Sequence, residues 1–199
     1  MTTAAVRLPG AEETAFRRQF EKDAVWSRMI APGGRVPALP LIEVDLGPIH
    51  LDRLLHTGPV VLVFFSYDGS ASCDALLAGY QRTLLPRCAD ADAHLVAVSP
   101  QRADLLAGVK RRHDLGFLVA SDPRHALIDA FAIGYRSPGA SGVLGTGRSI
   151  LPYPAVVVAD RTGTVRYADI RPDAAPPTPV ARIGAALDGL VLPRTGAGS

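Results

Sequence analysis

Apolar and polar positions follow two periods along this chain. Val60 to Phe65 (VVLVFF), His94 to Ser99 (HLVAVS), Phe117 to Ala120 and Ala155 to Ala159 are short apolar runs rich in β-branched and aromatic residues. Bounded by turn residues, they read as buried strands. Ile42 to Leu46 reads as a further short strand with Gly47-Pro48 as its turn. Thr164 to Ile170 is expected to pair back on Ala155–Ala159 across the hairpin turn Asp160-Arg161-Thr162-Gly163. Between these runs the spacing becomes helical. Leu76, Leu77, Tyr80 and Leu84 share one stripe of a helix that begins near Ala71 and reaches Leu85, where Pro86 bends or ends it. Leu51 to Leu55 is a helical turn, and Ala103 to Arg112 and Val180 to Leu190 read as helices. Another helix, capped by Ser121-Asp122-Pro123, runs to about Phe131. Strands alternating with helices over short connections predict βαβ units and a mostly parallel core.

The ends of the chain read differently. Residues 1–10 resemble a loose leader, and Glu12 to Ile30 reads as a helix with Phe16, Phe20, Val25, Trp26 and Met29 near one stripe, stopped by Ala31-Pro32-Gly33-Gly34. This helix packs on its own domain or on a second subunit, and the latter would make a homodimer. The expected organisation is an N-terminal helical extension over 1–32, an α/β domain over 33–190 and a flexible tail over 191–199. Within the domain, 136–149 contains SPGASGVLGTG, a composition expected to be flexible. It reads either as an insertion beside the active centre or as a plain surface loop. Its glycines lack the Lys of a phosphate-binding loop. Pro172 to Pro179 is a proline-rich linker.

Composition narrows the function classes. The chain has 199 residues, 48% hydrophobic and 20% charged, with a net charge of +2, which gives no electrostatic footprint for nucleic acid. No apolar run approaches the roughly 20 residues that span a bilayer. Two cysteines make no disulfide framework, and the N-terminus lacks the pattern of a signal peptide, so the expected compartment is the cytoplasm. The histidines His50, His56, His94, His113 and His125 show no metal-ligand spacing, and neither a metal nor a cofactor is expected.

The candidate chemistry sits at Cys73, where the Val60–Phe65 strand gives way through Ser66-Tyr67-Asp68-Gly69-Ser70 to a helix. The N–H groups of a helix's first turn are unpaired and partly positive, and they stabilise a thiolate placed there. The bland alternative is a small buried hydrophobe. Strand, turn, Ser70-Ala71-Ser72-Cys73 and helix resemble the active-site region of the AhpC/TSA peroxiredoxin-like proteins, whose peroxidatic cysteine lies in T/S-x-x-C. The strings VAVSPQ and SDP followed by ALIDAFAI, and Pro154 before the fourth strand, are similar to that family too. The resemblance covers about residues 33–190. It implies a thioredoxin-like fold, a central mixed β-sheet flanked by helices with an extra N-terminal helix. It also implies reduction of a small-molecule hydroperoxide by Cys73, assisted by the Ser70 hydroxyl, with an external thiol as reductant. Tyr67, Tyr153 and Pro154 become candidate substrate-binding residues, and the Tyr153–Pro154 bond is expected to be cis beside Cys73.

Two departures point to an alternative. The family's arginine position is occupied by Pro154, and its first motif proline by Ser66. A thioredoxin fold recruited as a non-redox binding module or as an enzyme of specialised metabolism would tolerate both. Cys88 is the obvious second thiol. Along an unbroken helix it would lie roughly 22 Å from Cys73 at about 1.5 Å per residue, far beyond the roughly 7 Å that a disulfide spans. Cys88 therefore reads as structural.

Overall fold

The computed structural model describes residues 11–172 and 176–190. The leader at 1–10, the tail at 191–199 and the centre of the proline-rich linker lie outside the described residues.

Nine strands and eight helices follow one another among the described residues. The first strand, β1 (Pro40–Glu43), turns back directly into β2 (Gly47–His50). After α2 (Leu51–Thr57) comes the central strand β3 (Val60–Phe64), then α3 (Ala71–Thr83) and α4 (Leu85–Asp90). Next are β4 (His94–Ser99), α5 (Ala103–Arg112), β5 (Leu118–Ser121) and α6 (Ala126–Ala130). A two-stranded ribbon, β6 (Gly134–Arg136) with β7 (Ile150–Pro152), carries the short helix α7 (Ala140–Leu144) at its tip. The chain closes with β8 (Ala155–Ala159), β9 (Val165–Ile170) and α8 (Val180–Asp188).

The main sheet has seven strands in the order β2-β1-β5-β4-β3-β8-β9. Its centre, β3 with β4 and β4 with β5, is parallel, while β8 runs antiparallel to β3 and β9 antiparallel to β8. The sheet is therefore mixed. All five residues of β3 are buried, because helices cover both faces. On one face Val61, Val63, Leu95, Ala97, Val156 and Val158 meet the apolar stripes of α3, α4, α5 and α8. On the other, Leu62, Phe64, Val96, Val98 and Val157 meet α2 and α6. Alternate residues of one strand point to opposite faces, so the VVLVFF run feeds both cores at once.

Several expectations need correcting. Gly47-Pro48 is not a turn but the start of β2, paired with Ile42 and Glu43. The turn is Val44 to Leu46, held by the buried Glu43 carboxylate, which accepts the N–H groups of Asp45 and Leu46. The N-terminal helix stops at Asp23: Ala24 takes a left-handed conformation and a 3-10 turn, Val25–Ser27, follows. At Pro86 the helix is broken as expected: α3 stops at Thr83, and Pro86 sits in the first turn of a separate helix, α4, where its missing N–H costs nothing. Asp122 does cap α6, its carboxylate accepting the N–H groups of Ala126, Leu127 and Ile128. The N-terminal helix, α1 (Ala11–Asp23), packs on its own domain: Phe20 and Val25 are buried with Tyr153, and Phe16 joins them.

Candidate active site

Cys73 lies in the first turn of α3, at the end of the central strand. It is 4% exposed and packs in the apolar layer with Leu76, Leu77 and Val63. Ser70 is the N-cap residue, but its hydroxyl does not cap. It pairs with the Ser72 hydroxyl at 3.0 Å, and its carbonyl accepts the Asp74 N–H.

The loop between β3 and α3 is held from several sides. Phe65 N–H donates to the Val98 carbonyl, extending the parallel pairing by one residue. The Ser66 carbonyl accepts the buried Ser99 hydroxyl at 2.8 Å. Gly69 turns the chain at a φ of 93°, which a side chain would resist. Asp68 and Asp74 stand on either side of the cysteine, and the Arg112 guanidinium of α5 pairs with both, at 3.0 Å for Asp74. Gly108 makes room for this approach, since a Cβ there would lie 2.9 Å from Asp68 Oδ2. Burial works against the charged form of Asp74. The hydrogen bond from Arg112, with His113 Nε2 3.4 Å away, outweighs it and holds its carboxyl below the ordinary range.

Gln101 ties this loop to the glycine-rich segment. Its Oε1 accepts the Asp68 N–H at 2.8 Å, and its Nε2 donates to the Val143 carbonyl at 2.8 Å. The segment 136–149 thus lies beside the cysteine loop, and part of it is the helix α7, whose Ala140 and Leu144 are buried against Tyr67 and Tyr135. The expectation of a wholly flexible stretch is corrected by those two side chains.

The other candidate residues sit around this centre. Tyr67 joins the apolar group of Ala140, Leu144 and Leu151. Tyr153 is fully buried, with its ring 4.5 Å from that of Tyr135 and its hydroxyl donating to Asp23 at 2.9 Å. Pro154 shares a small cavity with Val63, Leu76 and Tyr80, one turn along α3 from Cys73. Arg136 and Arg148 are exposed; Arg136 lines a surface cleft with Arg28 and Asp129.

Tyr135 was invisible in the sequence pattern. It lies in a three-residue strand, half-buried, and packs with Tyr67, Leu144 and Leu151 beside the cysteine loop. Burial raises its pKa, the neighbouring sulfur raises it further, and Ser66 offsets part of the rise.

The AhpC/TSA family model matches residues 32–168. The chain belongs to the AhpC/TSA family. No curated protein matches it. Among solved structures it is similar to the peroxidoxin BcpB of Mycobacterium tuberculosis, with 20% identity and a TM-score of 0.67 over 82% of this chain and 99% of that one. A yeast mitochondrial 1-Cys peroxiredoxin aligns at 16% identity and a TM-score of 0.64, over 81% and 76% of the two chains. Xanthomonas campestris peroxiredoxin Q aligns at 21% and 0.61, over 80% and 96%. The seven-stranded mixed sheet with helices on both faces is the thioredoxin-like fold that these AhpC/TSA relatives share. The match begins at residue 32, after the 3-10 turn Val25–Ser27. Among the described residues no helix is long and apolar enough to cross a membrane.

Proposed function

We propose that this AhpC/TSA protein is a single-cysteine thiol peroxidase. The Cys73 thiolate attacks the terminal oxygen of a small hydroperoxide, the O–O bond breaks, and the sulfur becomes a sulfenic acid. An external thiol then reduces it. The observation that carries this reading is the position of Cys73: first turn of α3, end of the central strand, in the family's motif position with the Ser70 hydroxyl three residues before it. A single-cysteine cycle is supported by Cys88, which is fully buried in α4 and whose thiol burial pushes up to about 12. A neutral, buried thiol is a poor partner for disulfide exchange.

A second reading, a scaffold recruited to a non-redox role, is favoured by Ser66 and Pro154 standing where the family has a proline and an arginine. One experiment separates them. The reduced protein is mixed with hydrogen peroxide and a small thiol, peroxide consumption is followed, and the mass of the Cys73 peptide is taken. A peroxidase loses its activity in Cys73→Ser and keeps nearly all of it in Cys88→Ser. For a recruited scaffold, wild type and Cys73→Ser consume peroxide no faster than the thiol alone.

A further inference from the structure

The surface cleft beside the ribbon has a volume of about 300 Å³, at the small end of ligand-binding clefts. Three separate elements bring charged side chains to it. Arg28 comes from the N-terminal segment, just after the 3-10 turn, and the Ile30 N–H pins that segment by donating to the Phe131 carbonyl at 3.1 Å. Asp129 comes from α6 and Arg136 from β6. The rest of the lining is largely apolar, with Ile128, Ile150 and Ala132. Ala132 has a φ of 54°, the left-handed conformation that closes a helix and ordinarily selects glycine. The charges in this cleft are unmatched. Among the described residues neither guanidinium nor the Asp129 carboxylate enters an ion pair or a side-chain hydrogen bond, although opposite charges share one small space. Other exposed arginines do pair: Arg87 with Asp188, Arg102 with Asp104 and Arg166 with Asp160.

We propose that this cleft binds a small zwitterion with two carboxylates and one ammonium group, the charge pattern of an acidic amino acid. The inference stands apart from the peroxidase reading. Two positive groups against one negative leave the cleft with a single net positive charge, which a ligand of single net negative charge balances. Each guanidinium offers a planar fork of N–H donors that meets a carboxylate in two parallel hydrogen bonds. Asp129 repels a simple dianion or a phosphate and attracts an ammonium. The apolar lining takes the short carbon chain between the ligand's charged ends. Arg28 precedes residue 32, where the family match begins, so one of the two forks is supplied by this chain's own N-terminal segment. Tyr135 lines the cleft and also packs with Tyr67 of the cysteine loop, so the occupant lies against the same ribbon that borders that loop.

The test varies the charged groups on both sides. Binding of radiolabelled L-glutamate to the full chain is measured by equilibrium dialysis at low ionic strength, where exposed charges are least screened. Unlabelled glutarate, L-norvaline and inorganic phosphate then compete: glutarate lacks the ammonium, L-norvaline lacks the second carboxylate, and phosphate lacks the carbon chain. Wild type is expected to take L-glutamate about tenfold or more ahead of each competitor, the loss usual for one charged hydrogen-bonding partner. Arg28→Gln and Arg136→Gln should each weaken L-glutamate by about the same factor. Asp129→Asn should let glutarate compete as well as L-glutamate itself. All three side chains are exposed and unpaired, so each variant should keep the urea midpoint of wild type. Three results overturn the inference: no binding of L-glutamate to wild type at millimolar concentration, binding that survives unchanged in both arginine variants, or any competitor matching L-glutamate on wild type. None of them touches the peroxidase reading, which is decided by peroxide consumption.

Discussion

The Tyr153 hydroxyl donates a 2.9 Å hydrogen bond to the Asp23 carboxylate and so fastens the N-terminal helix to the residue two before β8. Tyr153 is fully buried, with Phe20 edge-on at 5.0 Å, and Phe20 in turn lies 5.2 Å from Trp26. Asp23→Ala strands a buried phenol without its partner and is expected to cost about 1–3 kcal/mol. Tyr153→Phe removes the donor and keeps the ring, so it should cost less. Trp26 is the one tryptophan of the chain and half-exposed, which makes its fluorescence a local report on this helix. Urea unfolding followed by that fluorescence measures both variants. A midpoint unchanged in Asp23→Ala would mean the helix is held by its aromatic contacts alone.

Gln101 is the strut between the cysteine loop and the glycine-rich segment, and it is buried. Gln101→Leu keeps much of the volume but leaves the Asp68 N–H and the Val143 carbonyl without their partners. The expected cost is about 1–3 kcal/mol per polar group left buried, less where water reaches it. The segment should also open more often, and Arg136 and Arg148, both exposed, flank it as trypsin sites. Limited trypsin digestion should therefore cut Gln101→Leu between the ribbon strands faster than wild type. Equal cutting rates would show that Ala140 and Leu144, not Gln101, hold the segment down.

Much of the fold was legible because burial on both faces leaves a simple mark. Val60–Phe64, His94–Ser99 and Ala155–Ala159 are unbroken apolar runs, and they became β3, β4 and β8 at or within one residue of the expected bounds. Ala103–Arg112 likewise became α5. The misreadings come from residues whose local signal is overruled at a distance. Gly47-Pro48 has turn chemistry, yet pairing with Ile42 and Glu43 draws it into β2, an edge strand where proline is tolerated. Ala24 carries no breaking signal, yet it adopts a φ of 45° as the chain turns to bury Val25. At the site, Cys73 and Ser70 were readable as a motif. Tyr135, Gln101 and Arg112 were not, because each reaches the cysteine loop across the tertiary fold from an unremarkable local sequence.

Cys88 makes stability depend on alkaline pH. Burial raises its thiol from an ordinary value of 9.0 to about 12. Between those values the unfolded chain has released this proton and the native chain still holds it. The unfolded state then binds fewer protons, so unfolding free energy falls as pH rises through this window and is full only below it. Burial also lifts the Tyr80 phenol, from 10.0 to about 12, and it acts in the same direction. Cys88→Ala removes one of these groups and opens a small void in the layer with Leu84 and Ile183. The variant should be less stable than wild type near neutral pH, and its stability should decline more gently above about pH 9. The two curves of urea midpoint against pH, taken in reductant, should converge toward alkaline pH. Parallel curves would show that the Cys88 thiol ionises as readily in the native protein as in the unfolded chain, and would remove the argument that it is too buried to resolve a sulfenate on Cys73.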